Sequence, residues 1–213
     1  MRVCALVLLA VLAAGCSSHS TTKGSGHVVS VSRGVSGFTR IDFEGTGTVT
    51  VSVGKSAGLT MRGEDNILPL ITTDVIDGEL VISSKRSYST HRGLDIRIST
   101  PALGAVKLGG TGAFVARGIR ATDFTVDLQG TSTLVLAGTA GRLDADVSGV
   151  GSADLRELAT RDAHVKLSGT GSVLVNVAET LDASVDGVGS ILYSGHPRRV
   201  RTHVSGLGSI TGA

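Results

Sequence analysis

The chain has 213 residues, of which 30 are Gly and 41% are hydrophobic, but it has no Trp, two Tyr and four Phe. The aliphatic content is too high, and the 18% of charged residues too low, for a disordered chain. Twenty basic and 18 acidic residues give a formal net charge of +2, which argues against a dedicated nucleic-acid-binding protein. We therefore expect a packed core of small and aliphatic side chains.

The N-terminus has the features of a secretory signal. Met1 and Arg2 precede an uncharged apolar run over residues 3–14, which is followed by Gly15 and Cys16. A helix of this length rises about 18 Å, too little to cross the roughly 30 Å hydrocarbon core of a bilayer. We therefore predict that residues 1–15 are a signal peptide that is removed from the mature protein.

Cys16 is the predicted lipid anchor. The small residues before it resemble the bacterial lipobox, in which signal peptidase cuts before the Cys and the thiol carries a diacylglycerol. An ordinary signal peptide cut nearby is the alternative. The only other Cys is Cys4, in the removed segment, so the mature chain would have no thiol for a disulfide, for catalysis or for a Cys-based metal site.

The residues after the anchor predict the membrane to which the protein is sorted and a flexible tether. Ser17 is typical of lipoproteins sorted to the outer membrane. Residues 16–26 are small and polar without an apolar period, which predicts a flexible tether. The folded part then begins near His27, and residues 27–213 form a single domain.

Six copies of one pattern organise most of this domain: an aliphatic residue, any residue, Gly, any residue, then Gly or Ser. Their first glycines follow one another at intervals of 18 to 20 residues and are Gly110, Gly130, Gly149, Gly169, Gly187 and Gly206. A seventh copy, at residues 43–47, stands apart near the start. A fixed short period indicates a solenoid, in which each repeat forms one coil.

Apolar and polar residues alternate on both sides of these glycines. The positions two residues before the first Gly are Leu108, Leu128, Val147, Leu167, Val185 and Val204. A period of two predicts half-buried strands, and stacked coils about 4.8 Å apart would align each column into a continuous core. The sequence therefore predicts an all-β solenoid with coils of 18 to 20 residues and Gly-X-Gly corners. Residues 154–162 are the best helix candidate but lack a sustained helical stripe.

Four segments outside the six copies, together with the Ser-Gly-X-Gly-Ser turns, resemble the head GIN domain family, bacterial envelope proteins to which an auto-transporter adhesin role is attributed. The segments are residues 38–47, 63–68, 77–82 and 98–103. The resemblance covers about residues 28–212. It implies a right-handed parallel β-helix that is exported or lipid-anchored, and it brings no established catalytic residues to this chain.

One polar column is a candidate site. The repeat spacing places Asp144, His164 and Asp182 on successive coils. A second column beside it contains Asp127, Asp146 and Lys166. Carboxylates two coils apart would be about 10 Å apart, near the upper limit for an inverting glycosidase. The stronger interpretation is a solvated face, because an exposed parallel sheet needs polar outward residues.

Two basic segments, residues 85–92 and 196–201, are predicted as loops. They are candidates for contact with anionic glycan, lipopolysaccharide or lipid head groups, with Tyr88 and Tyr193 as ring surfaces. Solvated loops are the alternative. The Gly-X-Gly segments lack the third Gly and the following helix of a dinucleotide site, so no nucleotide, metal or other cofactor is predicted.

The leading hypothesis is a non-enzymatic, lipid-anchored β-helix of the outer membrane that presents a binding or adhesive surface to a glycan or envelope polymer. A glycan hydrolase or lyase and a purely structural scaffold are the alternatives. The sequence stops within a repeat at residues 208–213. An open solenoid end exposes unpaired backbone, so self-association through this end or side by side is expected.

Overall fold

The computed structural model describes residues 21–213, so the predicted signal peptide and Cys16 lie outside the described residues. Within this range the protein is all-β, with one 3₁₀ turn at Leu68–Leu70 and no α-helix. The strands are β1 Thr22–Lys23, β2 Val28–Arg33, β3 Arg40–Phe43, β4 Thr46–Val53, β5 Gly58–Glu64, β6 Ile71–Ile76, β7 Glu79–Ser84, β8 Tyr88–Ser89, β9 Asp95–Thr100, β10 Ala105–Leu108, β11 Thr111–Leu128, β12 Thr131–Val147, β13 Val150–Leu167, β14 Thr170–Val185, β15 Val188–Ser194, β16 Arg199–Val204 and β17 Leu207–Gly212.

The repetitive part is a parallel β-solenoid, as predicted. Strands β11 to β14 each run from one Gly corner to the next and pair in parallel with the following coil. The pairing aligns the apolar columns expected from the period of two, one of which is Leu108, Leu128, Val147, Leu167, Val185 and Val204. Residues 154–162 belong to β13, in agreement with the absence of a helical stripe.

Each coil also bends midway along its long strand. The register between β11 and β12 shifts between Arg117 and Ile119, and that between β12 and β13 shifts between Val135 and Ala137. Such irregularities turn the strand without ending the ladder. The half of each coil after the bend forms a second sheet face, which carries the polar columns.

Close backbone approach explains the glycines at the corners. The amide of Thr170 donates to the carbonyl of Gly149 one coil below at 2.9 Å. Gly171 has φ +153°, and a Cβ on it would collide with the carbonyl oxygen of Gly151. Coils therefore stack at hydrogen-bonding distance only if this position lacks a side chain.

The seventh copy of the repeat lies next to the first of the six. Strand β3 pairs with β10, which places Phe43 beside Leu108, and β4 pairs with β11, which places Val49 beside Phe114. All four side chains are buried. The copy that stands apart in sequence is thus one coil of the same stack.

The non-repetitive segment near residues 55–100 builds the N-terminal end of the solenoid. Strands β7 and β9 pair in parallel with β3 and β4. Three antiparallel strands follow: β6 lies on β7, β5 lies on β9, and β2 lies on β5. This reversal of strand direction ends the parallel stack.

Residues 22–26, which composition assigned to a tether, are held against the solenoid. Strand β1 pairs with β8, with hydrogen bonds from Thr22 to Ser87 and from Gly24 to Ser89. The amide of Ser25 also donates to the Asn66 side chain at 2.9 Å. Polar, Gly-rich composition did not reveal this attachment because its partners lie about 40 to 65 residues further along the chain.

Leu167→Asp is expected to prevent folding. The Leu167 side chain is 0% exposed, and burial of a carboxylate among aliphatic coils costs more than about 4 kcal/mol of unfolding free energy. The matched variant Lys166→Asp changes an outward-facing neighbour and should fold. Circular dichroism and thermal unfolding measure both, and equal stability of the two variants would contradict the inward position of Leu167.

Candidate functional site: a charged groove on the second sheet face

A groove of about 590 Å³ lies on the outward side of the sheet face that follows the bends. Its side chains come from four successive coils, because each coil presents the same repeat positions outwards. We call it the charged groove, and it is lined by Arg142, Asp144, Asp162, Ala163, His164, Thr180, Asp182 and Arg201.

Five of these side chains have free hydrogen-bonding groups. Within residues 21–213, no side-chain hydrogen bond or ion pair engages Arg142, Asp144, His164, Asp182 or Arg201. Asp162 differs, because its carboxylate accepts a hydrogen bond from Nε of Arg161 at 2.9 Å. The guanidinium of Arg161, with the Thr180 hydroxyl, lowers the pKa of Asp162. The groove thus offers acceptors and donors to a ligand.

The predicted column of Asp144, His164 and Asp182 is confirmed. Parallel pairing places Asp144 next to His164 and His164 next to Asp182, all three exposed. The adjacent column, in which Arg142 lies beside Asp162, is not among the columns predicted from the sequence. These residues stand two positions before Asp144 and His164, so the same period of two could have found them.

This arrangement is suited to binding a polar ligand. Asp144 and Asp182 lie exposed on an open sheet face. Carboxylates and guanidinium groups make strong, directional hydrogen bonds to hydroxyl or charged ligands. In the described range, no group of three or more His, Cys, Asp or Glu is placed to hold a metal ion. Nor does any helix there have the length and hydropathy to cross a bilayer.

In a third outward column, a basic and an acidic side chain form an ion pair. Asp127, Asp146 and Lys166 stack as expected, and Lys107 and Asp42 continue the column towards the N-terminal end. Nζ of Lys107 donates to Oδ2 of the buried Asp42 at 2.8 Å. This hydrogen bond raises the pKa of Lys107. Such pairing contrasts with the free side chains of the charged groove.

The two basic segments differ from the loops that were predicted. Residues 199–201 belong to strand β16 rather than to a loop. The Tyr88 ring packs against the core and its hydroxyl donates to the Thr46 carbonyl at 2.9 Å, while burial raises its pKa. Tyr193 also packs against the core. Neither ring is the free platform that the sequence suggested.

A buried carboxylate, Glu64, holds the N-terminal segment and the first basic segment together. Its side chain is 0% exposed and accepts hydrogen bonds from the amide of Gly26 at 2.8 Å and from that of His91 at 3.2 Å. A hydrogen bond from the Thr90 hydroxyl, together with these amides, lowers the pKa of Glu64 against the opposing effect of burial. Nothing local in the sequence distinguishes Glu64 from an exposed glutamate.

The comparison with family models identifies the class of protein. Residues 37–197 match the family described as "Putative auto-transporter adhesin, head GIN domain". The match covers more than half of the chain, so the protein belongs to this family, as the sequence resemblance predicted. No curated protein sequence matches the chain.

Crystal structures of three bacterial proteins share the fold. A "putative adhesin" from Bacteroides fragilis is 24% identical with a TM-score of 0.77, over 90% of this chain and 99% of the other. A "putative adhesin" from Parabacteroides merdae is 18% identical with a TM-score of 0.54, over 91% and 99% of the two chains. A "putative lipid binding protein" from Parabacteroides distasonis is 19% identical with a TM-score of 0.53, over 91% and 100%. At these identities the likeness concerns the fold alone.

Glu64→Gln is expected to destabilise the protein in a pH-dependent way. Because the folded-state pKa of Glu64 is lowered, its ionised form stabilises the fold above the ordinary Glu pKa of about 4.3, and this contribution is lost as the pH falls through the lower folded-state pKa. The stability difference between wild type and variant should therefore be largest above about pH 5 and shrink towards pH 3.

Chemical denaturation at several pH values measures this difference. Glu44→Gln, at an exposed position, is the control and should show little change at any pH. A difference for Glu64→Gln that stays constant from neutral to acidic pH would contradict the stabilising role of its charge.

Proposed function

We propose that the protein is a lipid-anchored envelope protein that binds a hydroxyl-rich polymer, such as a glycan, in the charged groove without cleaving it. The observation that carries the proposal is the set of five unengaged polar side chains that line one cavity of about 590 Å³. Membership of an adhesin-type family supports a binding role outside the cytoplasm.

The geometry favours an extended ligand. Successive coils repeat the same outward positions about every 4.8 Å, so the groove offers a row of polar groups along the solenoid axis. Carboxylates accept from hydroxyl groups and guanidinium groups donate to them, as sugar recognition requires. A repeating polymer can meet several such groups at once, which compensates for weak individual contacts.

A lipid acyl chain fits the charged groove less well. The relative from Parabacteroides distasonis is described as lipid-binding, but the groove of this protein is lined by five charged side chains and a histidine. An acyl chain there would leave these polar groups without partners, at a cost of about 1–3 kcal/mol for each one buried. A ligand with hydroxyl groups satisfies them instead.

The anchoring part of the proposal rests on Cys16. We expect the full chain, produced in a Gram-negative host with a radiolabelled fatty acid, to carry label and to sediment with membranes. Cys16→Ser should abolish the label, whereas Cys4→Ser, in the removed segment, should leave it unchanged. Label that persists in Cys16→Ser would contradict this anchor.

The binding part is tested with a panel of envelope and host glycans. The full chain in detergent is incubated with each glycan, and both retention and glycan size are recorded. We expect retention without a change in glycan mass. The double change Asp144→Asn and Asp182→Asn should weaken binding roughly thirty-fold, because each Asn keeps an acceptor oxygen and loses only the contribution of the charge, about 1 kcal/mol per hydrogen bond.

Asp146→Asn is the matched control, because Asp146 is exposed on the same strand as Asp144 but does not line the groove. It should leave binding unchanged. Smaller products that disappear with the Asp144 and Asp182 changes would replace the proposal with a glycan-cleaving enzyme. No retention of any glycan would overturn the binding role and favour a scaffold.

A further inference from the structure

The two ends of the solenoid each leave sheet edges open. Within residues 21–213, four strands of the 15-stranded sheet pair on one side only: β16 and β17 at the C-terminal end, and β2 and β6 at the N-terminal end. An edge strand carries unpaired N–H and C=O groups and is a template for another chain.

Exposed apolar side chains concentrate on these four strands. Of nine large exposed apolar residues in the described range, six lie there: Val29, Val75, Ile76, Val200, Val204 and Leu207. Leu207 is 77% exposed, and Val204 is 43% exposed although it belongs to the column in which Leu108 and Leu167 are fully buried. Val204 and Val200, which pair with the buried Val185 and Leu181, therefore leave part of the core uncovered at the C-terminal end.

Strands β16 and β6, the two edges of one sheet face, differ in charge, while the other N-terminal edge strand, β2, carries Arg33. Strand β16 bears Arg199, Arg201 and His203 and no acidic residue. Strand β6 bears Asp74, is followed by Asp77 and has no basic residue. Strands β16 and β6 are thus complementary in charge, whereas two identical C-terminal ends would oppose Arg side chains to Arg side chains.

Topology places these strands at opposite edges of one sheet face. The pairing runs from β6 through β7, β3, β10, β11, β12, β13 and β14 to β16. Two copies that stack along the solenoid axis therefore bring β16 of one copy against β6 of the next. Strand β6 runs opposite to the parallel strands, so the new pair is antiparallel.

We infer that copies of this protein associate head to tail, with the basic strand β16 of one copy beside the acidic strand β6 of the next. The contact covers open edges and exposed apolar residues at both ends and places opposite charges together. Because the two surfaces differ, the contact is heterologous, and it extends into a filament unless the rotation between copies closes a ring.

Cross-linking between two differently tagged full-length copies tests this arrangement. One copy carries Val75→Cys on β6 and the other carries Val204→Cys on β16, and both are treated in detergent with a short bis-maleimide. We expect a mixed cross-linked pair, reduced several-fold by 1 M salt or by Arg201→Glu, since both weaken the charge complementarity.

Val188→Cys is the matched control, because Val188 is similarly exposed but lies on the side of a coil. Combined with Val75→Cys it should give no pair, and wild-type chains report any reaction of the natural cysteines. Circular dichroism confirms that each variant folds. A Val204→Cys homopair without the mixed pair would show a head-to-head contact, and no cross-link in any combination would show no end contact; either result overturns the inference.

Discussion

In-register stacking of coils at backbone hydrogen-bonding distance is the constraint on which the rest of this structure depends. At the corner positions, the carbonyl of one coil occupies the space that a Cβ of the next would need, as Gly171 and Gly151 illustrate. Because the corner admits no slippage, the repeat positions on either side of it lie directly above their counterparts one coil below, and the shifts in register are confined to the bends. A core column such as that of Leu167 is therefore continuous, and so is each column on the outer surface.

The same register that builds the core also builds the charged groove. Once inward positions align, outward positions two residues apart must align as well, and side chains far apart in sequence become neighbours about 4.8 Å apart. Where one member of a column is buried, as with Asp42, a hydrogen bond to Lys107 compensates its charge. Where the column is exposed, as with Asp144, His164 and Asp182, solvent takes that role and the groups remain free for a ligand.

The repeat does not by itself decide how the solenoid ends. At the N-terminal end, antiparallel strands β2, β5 and β6 interrupt the parallel order, and Glu64 fastens the chain entering the domain and the segment near His91 to this cap. At the C-terminal end, β16 and β17 carry core-column residues that no further coil covers within the described range. This difference makes the protein directional, with an acidic edge strand, β6, at one end and a basic edge strand, β16, at the other.

The sequence by itself determined the solenoid, its core columns and the Asp144–His164–Asp182 column, because the period of two and the fixed repeat length are local signals. It is also the sole basis for the prediction of a lipid at Cys16. Only the tertiary structure decided that residues 43–47 stack on the first of the six later copies, that residues 55–100 form a coil and a cap, and that Glu64 is buried. These features depend on pairing between segments without a common period, so no spacing along the chain encodes them.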